Sequence, residues 1–250
     1  MKLSFVIPAH NEEFTLGACL DSIMRELAAA DHRYDVEVIV VNNASGDRTK
    51  AVALRYPGVR VVDEQHKGIV KARARGFAET TGELVANIDA DTILPRGWLA
   101  TVFSEFERRP DLVCLSGPLV YHDLPLSVQL IAKLFNVGAF LMHLLVRFLH
   151  IGAQVQGGNF ILRRDAWIRA GGFDTSIDFY GEDTDVARRI SKQGTVKFTF
   201  RLPIYSSGRR LAHEGVLAIG WRYTINYFWV LLFGKPHTTA SRDVRRSPGT

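Results

Sequence analysis

The sequence predicts an α/β protein with a mostly parallel sheet, flanking helices and two apolar helices in its C-terminal half. In the first 92 residues, short apolar runs alternate with segments of helical periodicity, which is the pattern of βαβ units. These runs are continuously apolar, as expected for strands buried on both faces. Polar clusters follow three of the runs, and ligands bind at the carboxyl ends of parallel strands. The first half is therefore predicted to carry a ligand site at one edge of its sheet.

Composition and charge are those of a globular protein with an anionic ligand or surface as partner. The 250 residues are 47% hydrophobic and 23% charged, enough for one large core or two small ones. The net charge is +5, but the basic residues are spread out until the C-terminal tail, so we infer no nucleic-acid partner. An anionic nucleotide or an anionic membrane surface suits this charge. Two cysteines without metal-ligand spacing, Cys19 and Cys114, fit a reducing cytoplasm.

Turn-forming residues separate the elements of the first half. Pro8 closes the first apolar run, which is typical of a strand rather than a signal peptide, and the turn cluster Asn42–Asp47 follows the second. The predicted elements are, in order, the strand Leu3–Ile7, the helix Phe14–Ala30, the strand Asp35–Val41, the helix Thr49–Tyr56, the strand Val59–Asp63, the basic helix Gly68–Thr80 and the strand Glu83–Ile88.

Asp89 and Asp91 follow the last of these strands. Alternate residues of a strand point to the same side, so both carboxylates can face one point beyond the strand end. Like charges this close repel unless a cation or hydrogen bonds lie between them, and hard divalent cations bind oxygen ligands. Taken alone, the pattern is more often a loop with two solvated aspartates. The polar clusters Pro8–Glu12 and Asn42–Asp47 at other strand ends favour a metal–diphosphate site instead.

The second half has a different character, with fewer predicted strands and longer apolar segments. No Gly/Pro/Ser-rich linker separates it from the first half, so residues 1–235 are predicted to form one domain. Its expected parts are a nucleotide-binding half (1–92), an acceptor and catalytic half (93–215) with the strands Leu112–Leu119 and Val196–Phe200, apolar helices at 127–150 and 216–233, and a flexible basic tail (236–250).

The apolar segment 127–150 carries its polar residues on one narrow stripe. Those residues, at helical periodicity, are Gln129, Lys133, Asn136, His143 and Arg147. Three interpretations stay open: a helix packed on the core or on a second subunit of a homodimer, a helix in the plane of a membrane surface, and a spanning helix interrupted by polar residues. The aromatic segment 216–233 suits a bilayer interface and a buried helix alike.

A series of short motifs runs through most of the chain. In order, they are Phe5–Glu13, Val40–Thr49, Gly68 with Ala72–Gly76, Asn87–Thr92, Gly157–Arg164, Gly171–Asp174 and Gly181–Asp185. Together, over roughly residues 3 to 195, they resemble the motifs of family 2 glycosyltransferases. The resemblance implies the Rossmann-like GT-A fold and transfer of a sugar from a nucleotide-sugar with inversion, assisted by Mg²⁺ or Mn²⁺. The Gln-x-x-Arg-Trp signature of polysaccharide synthases is absent, which favours a single transfer.

The resemblance also implies the roles of individual residues. It makes Asp183 the catalytic base, with Glu182 nearer to the acceptor, and Asp91 the first metal ligand. Asp89 and His213 are further candidate metal ligands. The nucleotide-sugar-binding positions are Pro8, Ala9, Asn11, Glu12, Asn42, Asn43, Lys71, Arg73, Asp89, Ala90, Asp91, Gly158, Asn159, Arg209 and Arg210.

Several of these residues have ordinary structural interpretations as well. Asn11 is a good helix N-cap. Acidic residues such as Glu182 and Asp183 in a first helical turn are common capping chemistry. Lys71 is equally compatible with a solvated basic helix face, and His213 with a plain surface position.

The donor and the acceptor are constrained to different degrees. A UDP-, GDP- or dTDP-linked sugar is expected; the family usually has Asp where this chain has Asn42, and an amide both donates and accepts, so the nucleobase stays open. The apolar segments favour a lipid-linked or cell-envelope glycan acceptor, such as a polyprenyl phosphate or glycolipid. We therefore expect a cytoplasmic protein that contacts the inner face of the cell membrane peripherally.

Two other functions are compatible with parts of the pattern. A non-catalytic binding protein with the same fold would be favoured by loss of Asp91 or Asp183, and both are present. A nucleotidyltransferase can also place carboxylates and a metal at strand ends, but it would usually need a Gly-rich basic loop directly after the first strand. The segment Pro8–Glu13 contains no glycine.

Overall fold

The computed structural model describes residues 1–149, 152–177 and 179–238, and its centre is a seven-stranded sheet. Its strands are β1 (Lys2–Ala9), β2 (Asp35–Asn43), β3 (Val59–Glu64), β4 (Leu84–Ile88), β6 (Leu112–Ser116), β8 (Asn159–Arg163) and β9 (Thr195–Phe198). Strand order is β3-β2-β1-β4-β8-β6-β9; β1 to β4 are parallel, β8 is antiparallel to both neighbours, and β9 is parallel to β6. The mostly parallel sheet predicted from the sequence is therefore confirmed.

Helices cover both faces of this sheet, because β1 is apolar on both. Phe5 and Ile7 pack in one hydrophobic cluster with α1 and α4, while Val6 points to the opposite face and packs with Ala72 of α3. A third cluster joins Phe160 of β8 to α6 and α7. The helices are α1 (Leu16–Ala29), α2 (Thr49–Ala53), α3 (Ile69–Ala78), α4 (Trp98–Arg108), α6 (Arg164–Arg169) and α7 (Glu182–Ile190).

A second, three-stranded sheet brings the chain after β4 next to the C-terminal half. It has the order β5-β10-β7, with β5 at Thr92–Ile93, β7 at Leu119–Tyr121 and β10 at Ile204–Ser206. The single strand predicted over Leu112–Leu119 is wrong, since β6 and β7 belong to different sheets. Gly117 lies where a Cβ would be 2.0 Å from a backbone oxygen, and the following Pro118 has no N–H to donate to a ladder.

Three further helices follow in the C-terminal half: α5 (Leu126–Phe148), α8 (Arg209–Glu214) and α9 (Val216–Phe233). Of the 23 residues of α5, only Ala132, His143 and Val146 are buried, so α5 is not a core helix of this chain. It contacts β7 and α9. The predicted segment extended to His150, which lies outside the described residues, as do residues 239–250 of the predicted tail.

Three of the five residues of the polar stripe of α5 face the protein rather than the solvent. Gln129 and Asn136 donate to backbone carbonyl oxygens at 2.7 and 3.2 Å, and Nδ1 of His143 accepts from a backbone N–H at 3.1 Å. Lys133 and Arg147 are exposed. The structure turns the larger apolar side of α5 outward and three of the five stripe residues inward, which excludes packing in the core of this chain. The second-subunit, in-plane and spanning interpretations stay predictions.

In the part of the chain that the structure describes, α5 and α9 are long and apolar enough to cross a membrane by length and composition alone. This criterion is weak, because a core helix of a soluble protein also meets it. Both helices are largely exposed, however. Their outward apolar side chains are Leu126, Leu130, Leu134, Leu141, Leu144 and Phe148 on α5, and Leu217, Trp221, Leu232 and Phe233 on α9.

Candidate active site

One cavity of about 690 Å³ lies where the carboxyl ends of β1 and β4 meet the start of α7. This is the edge at which parallel sheets bind ligands. Its lining is polar at one end and apolar at the other. The predicted site residues that line it are Pro8, Glu12, Arg73, Asp89, Ala90, Asp91, Glu182, Asp183, Arg209 and Arg210.

The carboxylates of Asp89 and Asp91 each face an arginine. Arg73 Nη2 lies 3.1 Å from Asp89 Oδ1, and Arg209 Nη2 lies 3.0 Å from Asp91 Oδ2. A guanidinium beside each carboxylate reduces the repulsion between two negative charges that are one residue apart. At this end of the cavity, each of the two carboxylates is thus balanced by a positive charge.

The backbone of Gly158 passes directly over Asp89. A Cβ at Gly158 would lie 2.2 Å from Asp89 Oδ2, and its φ of +76° is in the region that favours glycine. The sequence resemblance placed Gly158 among the nucleotide-sugar-binding positions. In the structure its close neighbour is the Asp89 carboxylate, which places Gly158 beside the site but outside the cavity lining.

Arg73 connects the two ends of the polar region. Its side chain is only 1% exposed; besides Asp89, it contacts Glu182 Oε1 at 3.4 Å through Nη1. Its guanidinium carbon lies 5.3 Å from the centroid of the Phe160 ring. A buried arginine that is shared by two carboxylates fixes the distance between the end of β4 and the start of α7.

Glu182 and Asp183 form the first turn of α7, after Gly181 in the left-handed conformation. Asp183 Oδ1 accepts from the backbone N–H of Thr184 at 2.7 Å, and Oδ2 accepts from the Gly157 N–H at 3.4 Å. Burial raises the pKa of both carboxyls, the neighbouring Asp183 raises that of Glu182 further, and Arg73 acts in the opposite direction. Carboxylates with raised pKa values are better proton acceptors than ordinary ones.

Helix α8 reaches across the cavity through Arg209. Its Nη1 donates to Glu12 Oε2 at 2.9 Å, and its Nη2 pairs with the other oxygen of Glu12 as well as with Asp91. Glu12 is buried and also accepts from the hydroxyl of Thr15 at 2.6 Å. Two carboxylates from different loops thus converge on one guanidinium that comes from a short helix.

The asparagines at the strand ends organise loops instead of facing the cavity. Asn43 Oδ1 accepts from the N–H of Gly68 at 2.8 Å, and its amide nitrogen donates to two backbone carbonyls. Asn42 donates to Asp63 at 2.8 Å, and Asn11, at φ +52°, accepts from a backbone N–H. Ala9 is also outside the lining. Among the described residues, the structure therefore brings Pro8 and Glu12 into the cavity and leaves these four at its periphery.

Lys71, Asn159 and His213 do not reach the cavity lining in the part of the chain that the structure describes. Asn159 is fully buried in β8, and its amide donates to a backbone carbonyl at 2.8 Å. His213 lies one turn beyond Arg209 on α8 and is exposed. The structure does not place it with Asp89 and Asp91.

The aspartate pair suits a hard divalent cation that arrives with its substrate. Within the ranges described, no three His, Cys, Asp or Glu side chains are grouped so as to hold a metal by themselves. Mg²⁺ commonly uses one or two protein carboxylates and takes its other ligands from water and substrate phosphates. Asp89 and Asp91 supply such oxygens, and the guanidiniums beside them show that this location accommodates positive charge.

Sequence reasoning missed the aromatic residues of the lining. Tyr121, Phe179, Tyr223 and Tyr227 all line the cavity, and no motif marks them. The hydroxyl of Tyr227 is buried and has no hydrogen-bond partner among the described residues. The only available signal was the aromatic richness of 216–233, which does not tell a lining residue from a packed one.

The apolar end of the cavity lies between α5 and α9. Its walls are built from Ile131, Ala132, Phe135, Gly138, Ala139 and Met142 of α5, and from Val216, Ile219, Gly220, Tyr223, Tyr227 and Phe228 of α9, with Asn136 and Thr224 as polar members of the same lining. This lining is named the α5–α9 groove below. Because it belongs to the same cavity as the carboxylates, an elongated molecule could occupy both ends at once.

Comparisons with known proteins agree on one family. The family model for glycosyl transferase family 2 matches residues 4–169. The chain is similar to a dodecaprenyl-phosphate galacturonate synthase of Rhizobium johnstonii, with 30% identity over 44% of this chain and 33% of the relative. It is also similar to a dolichyl-phosphate beta-glucosyltransferase of Trichomonas vaginalis, with 34% identity over 36% of this chain and 30% of the relative. The chain thus spans about a third of the length of these relatives.

Solved structures agree on the fold. Glucosyl-3-phosphoglycerate synthase from Mycobacterium tuberculosis, in complex with Mn²⁺, UDP-glucose and phosphoglyceric acid, superposes with a TM-score of 0.60. The match covers 95% of this chain and 81% of that one, at 22% identity. At this level of identity the likeness shows a shared GT-A fold.

Proposed function

Because the chain belongs to glycosyl transferase family 2, we propose that it moves a sugar, with inversion, from a nucleotide-diphospho-sugar to an acceptor hydroxyl or phosphate. One observation carries the proposal: Arg73 contacts Asp89 at 3.1 Å and Glu182 at 3.4 Å. One buried arginine therefore contacts both kinds of carboxylate that the reaction needs. Asp89 belongs to the pair suited to the metal of the donor diphosphate, and Glu182 lies beside the carboxylate suited to the acceptor. The domain that does this is proposed to extend over residues 1–235.

The donor is proposed to lie against Pro8, Glu12 and the aspartate pair, at the polar end of the cavity. The presence of UDP-glucose in the mycobacterial relative of the same fold supports this. Basic side chains of α3 and α8, Arg73 and Arg209, are positioned to offset the charge of a diphosphate. Since Asn42 and Asn43 lie outside the cavity lining, the structure favours no particular nucleobase.

Asp91, with Asp89 beside it, is proposed to hold Mg²⁺ or Mn²⁺ together with the donor diphosphate. When bound, the cation would supply positive charge that stabilises the leaving nucleoside diphosphate. Asp91 Oδ2 is paired with the Arg209 guanidinium, so a cation that binds this oxygen would displace that contact. Arg209, which stays paired with Glu12, would then offer its released N–H to the diphosphate.

Asp183 is proposed to act on the acceptor from the other side. Its carboxylate takes the proton of the acceptor hydroxyl, whose oxygen forms a bond to the anomeric carbon of the sugar. The bond between that carbon and the diphosphate oxygen breaks, and its electron pair leaves with the nucleoside diphosphate. Attack opposite to the leaving group inverts the anomeric configuration. The Gly157 N–H and the α7 backbone hold Asp183 in place for this step.

The acceptor is proposed to be lipid-linked, and the protein to bind a membrane surface peripherally at the cytoplasmic face. The names of the two curated relatives specify dodecaprenyl phosphate and dolichyl phosphate, which are lipid phosphates. In this chain, the outward faces of α5 and α9 are apolar, and a net charge of +5 favours anionic lipid.

A donor screen tests the proposal directly. UDP-, GDP- and dTDP-sugars would each be added with Mn²⁺ to the purified protein, and the unfolding temperature measured, since a ligand that binds only the folded state raises it. The proposal expects one nucleotide class to give a clear rise, and release of that nucleoside diphosphate in the presence of acceptor. Absence of stabilisation by every donor, or normal transfer to a hydroxyl acceptor by Asp183→Asn, would overturn it.

A further inference from the structure

The α5–α9 groove opens directly into the space beside Asp183. The same cavity is lined by Asp183 and Glu182 at the start of α7, and by apolar side chains of α5 and α9. The two helices approach closely where a Cβ at Gly220 would lie 2.3 Å from the ring of Phe135. The groove is therefore part of the substrate cavity and not a separate surface depression.

The walls of the groove leave room for a chain-like ligand. A Cβ added at Gly138 would meet nothing within 4 Å, and Ala132 and Ala139 are the neighbouring small residues of the lining. The polar side chains of this stretch, Asn136 and Thr224, already donate to backbone carbonyls at 3.2 and 2.8 Å. A sugar here would leave most of its hydroxyls without partners, which is costly, whereas a hydrocarbon chain needs none. The groove also adjoins the outward apolar faces of α5 and α9, from which such a chain could enter.

Tyr227 stands at the junction between the groove and the carboxylates. Its hydroxyl is buried and has no partner among the described residues, although buried hydroxyls are normally hydrogen-bonded. Tyr227 and Asp183 line the same cavity, and α9 packs against the start of α7, where a Cβ at Gly181 would lie 2.7 Å from Val230, about one turn beyond Tyr227. Burial, together with the charge of Asp183, raises the pKa of the tyrosine and keeps it protonated. An unpaired donor that shares the cavity with the proposed base is suited to a polar group of the acceptor.

We propose that the α5–α9 groove binds the hydrocarbon chain of the acceptor, and that Tyr227 positions the polar end of that chain beside Asp183. This inference rests on the proposed glycosyl transfer and names the acceptor class for the same site: a single-chain lipid, isoprenoid or acyl, that ends in a hydroxyl or a phosphate. Arg210, which also lines the cavity, provides a positive charge for the phosphate form.

Binding of soluble lipid probes tests the groove without relying on turnover. Titration calorimetry would compare farnesyl phosphate with isopentenyl phosphate, which has the same head and a much shorter chain, and with farnesol, which lacks the phosphate. Farnesyl phosphate is expected to bind the wild-type protein at least about tenfold more tightly than isopentenyl phosphate. Equal affinities for the long and short chains would overturn the proposal.

Gly138→Leu fills the groove from the side of α5. The variant should lower the affinity for farnesyl phosphate by about tenfold or more and leave the affinity for isopentenyl phosphate unchanged, and Gly138→Ala should give an intermediate effect. The substitution replaces a helix-interior glycine and meets no atom at Cβ, so the helix should tolerate it. Leu141→Phe, which adds bulk on the outward side of the same helix, is the control and should bind like the wild type. Unaltered binding by Gly138→Leu would exclude the groove.

Tyr227→Phe tests the polar end. The variant should lower the affinity for farnesol and for farnesyl phosphate alike by several-fold. The tenfold preference for farnesyl phosphate over isopentenyl phosphate should persist. Donor binding with Mn²⁺, followed in the same preparations, separates the two hypotheses. If donor binds and Gly138→Leu has no effect, only the groove assignment fails; if no donor stabilises any preparation, the proposed function itself fails.

Discussion

The guanidinium of Arg209 lies 3.0 Å from the carboxylate of Asp91, the residue to which we assign the metal. Arg209 also pairs with both oxygens of Glu12, so it links the loop after β1 to the end of β4 through a residue of α8. A divalent cation and this guanidinium would compete for the same carboxylate. The arrangement therefore predicts opposite effects of Arg209 on the binding of the metal alone and on the binding of the donor.

Arg209→Gln should bind Mn²⁺ more tightly than the wild type in the absence of nucleotide, by several-fold, because the Arg209 guanidinium no longer competes for Asp91. The same variant should bind the donor with Mn²⁺ more weakly, since a contact to the diphosphate is lost. Electron paramagnetic resonance of free Mn²⁺ measures the first and calorimetry the second. Arg201→Gln, an exposed arginine, is the control. Changes of the same sign in both measurements would refute the competition.

Asp89 and Asp91 should respond differently to loss of charge. Asp91→Asn is expected to abolish the Mn²⁺-dependent part of donor binding with little change in stability. Asp89→Asn leaves the buried Arg73, 1% exposed, with Glu182 as its remaining carboxylate partner, and should lower the free energy of unfolding by about 1–2 kcal/mol. The figure is below that for a fully buried pair because Asp89 is 36% exposed. Thermal unfolding and donor titration of both variants separate the roles; equal losses of stability would contradict the assignment.

The aspartate pair also shows how far the sequence reaches. The alternation of a strand placed Asp89 and Asp91 on one side of its end, and the neighbouring strand ends then predicted a shared site. The cavity is lined by this pair together with Pro8 and Glu12 but by no residue of Asn42–Asp47, and the binding roles of these residues stay predictions. The same logic did not tell Asn43 from the residues that line the cavity, because its amide is fully used by hydrogen bonds to backbone groups of the next loop. Strand position determines where a side chain starts, whereas its hydrogen-bond partners depend on loops that no periodicity describes.

Helix α5 shows a second limit of prediction from the sequence. Periodicity correctly placed Gln129, Asn136 and His143 on one stripe, but did not say which side of the helix faces the protein. The usual expectation is an inward apolar face. Here backbone carbonyls and an N–H near β7 and β8 need partners, and the polar side chains supply them. The direction of an amphipathic helix is decided by such tertiary partners.

Asp183→Asn should reduce transfer by about 10²–10⁴-fold when the acceptor is a hydroxyl, because the general base is lost. With a phosphate acceptor at pH 8 the loss should be much smaller, since the second pKa of a phosphate monoester is about 6 and the nucleophile is already deprotonated. Glu182→Gln is the matched variant at the neighbouring carboxylate, and it should reduce the rate of transfer to a hydroxyl acceptor by a smaller factor. Rates with farnesol and farnesyl phosphate measure the difference. A larger loss for Glu182→Gln would assign the base to Glu182 instead.

Stability should fall in mild acid through His143. Burial lowers its pKa from 6.5 to about 4, and the positive charge of Arg147 acts in the same direction. The unfolded state therefore binds the proton more readily, so the stabilisation is fully present above pH 6.5 and is lost as the pH falls towards 4. Between pH 7 and pH 5 the loss should be about 2 kcal/mol.

His143→Asn keeps an acceptor for the backbone N–H that Nδ1 accepts and removes the titrating group, so its stability should change less over this range. His122→Gln, at an exposed histidine, is the control and should follow the wild type. Urea unfolding at pH 7, 6 and 5 provides the measurement. If His143→Asn lost as much stability as the wild type, the acid sensitivity would have to come from other groups.

The outward face of α5 should bind membranes, and replacing its exposed leucines should not lower the stability of the protein. Leu130 and Leu141 are each 60% exposed, so the double variant Leu130→Glu/Leu141→Glu loses little packing. Two leucines that enter a bilayer interface contribute about 3 kcal/mol or more, which corresponds to a loss of vesicle binding of about a hundredfold or more. Leu54→Glu, at a leucine that is 63% exposed on the first half of the chain, is the control for the added charge. Co-sedimentation with anionic vesicles at low salt should retain the wild type and Leu54→Glu and release the double variant. If the double variant still sediments with the vesicles, α5 is not the membrane-binding element, and the apolar face must be covered in another way.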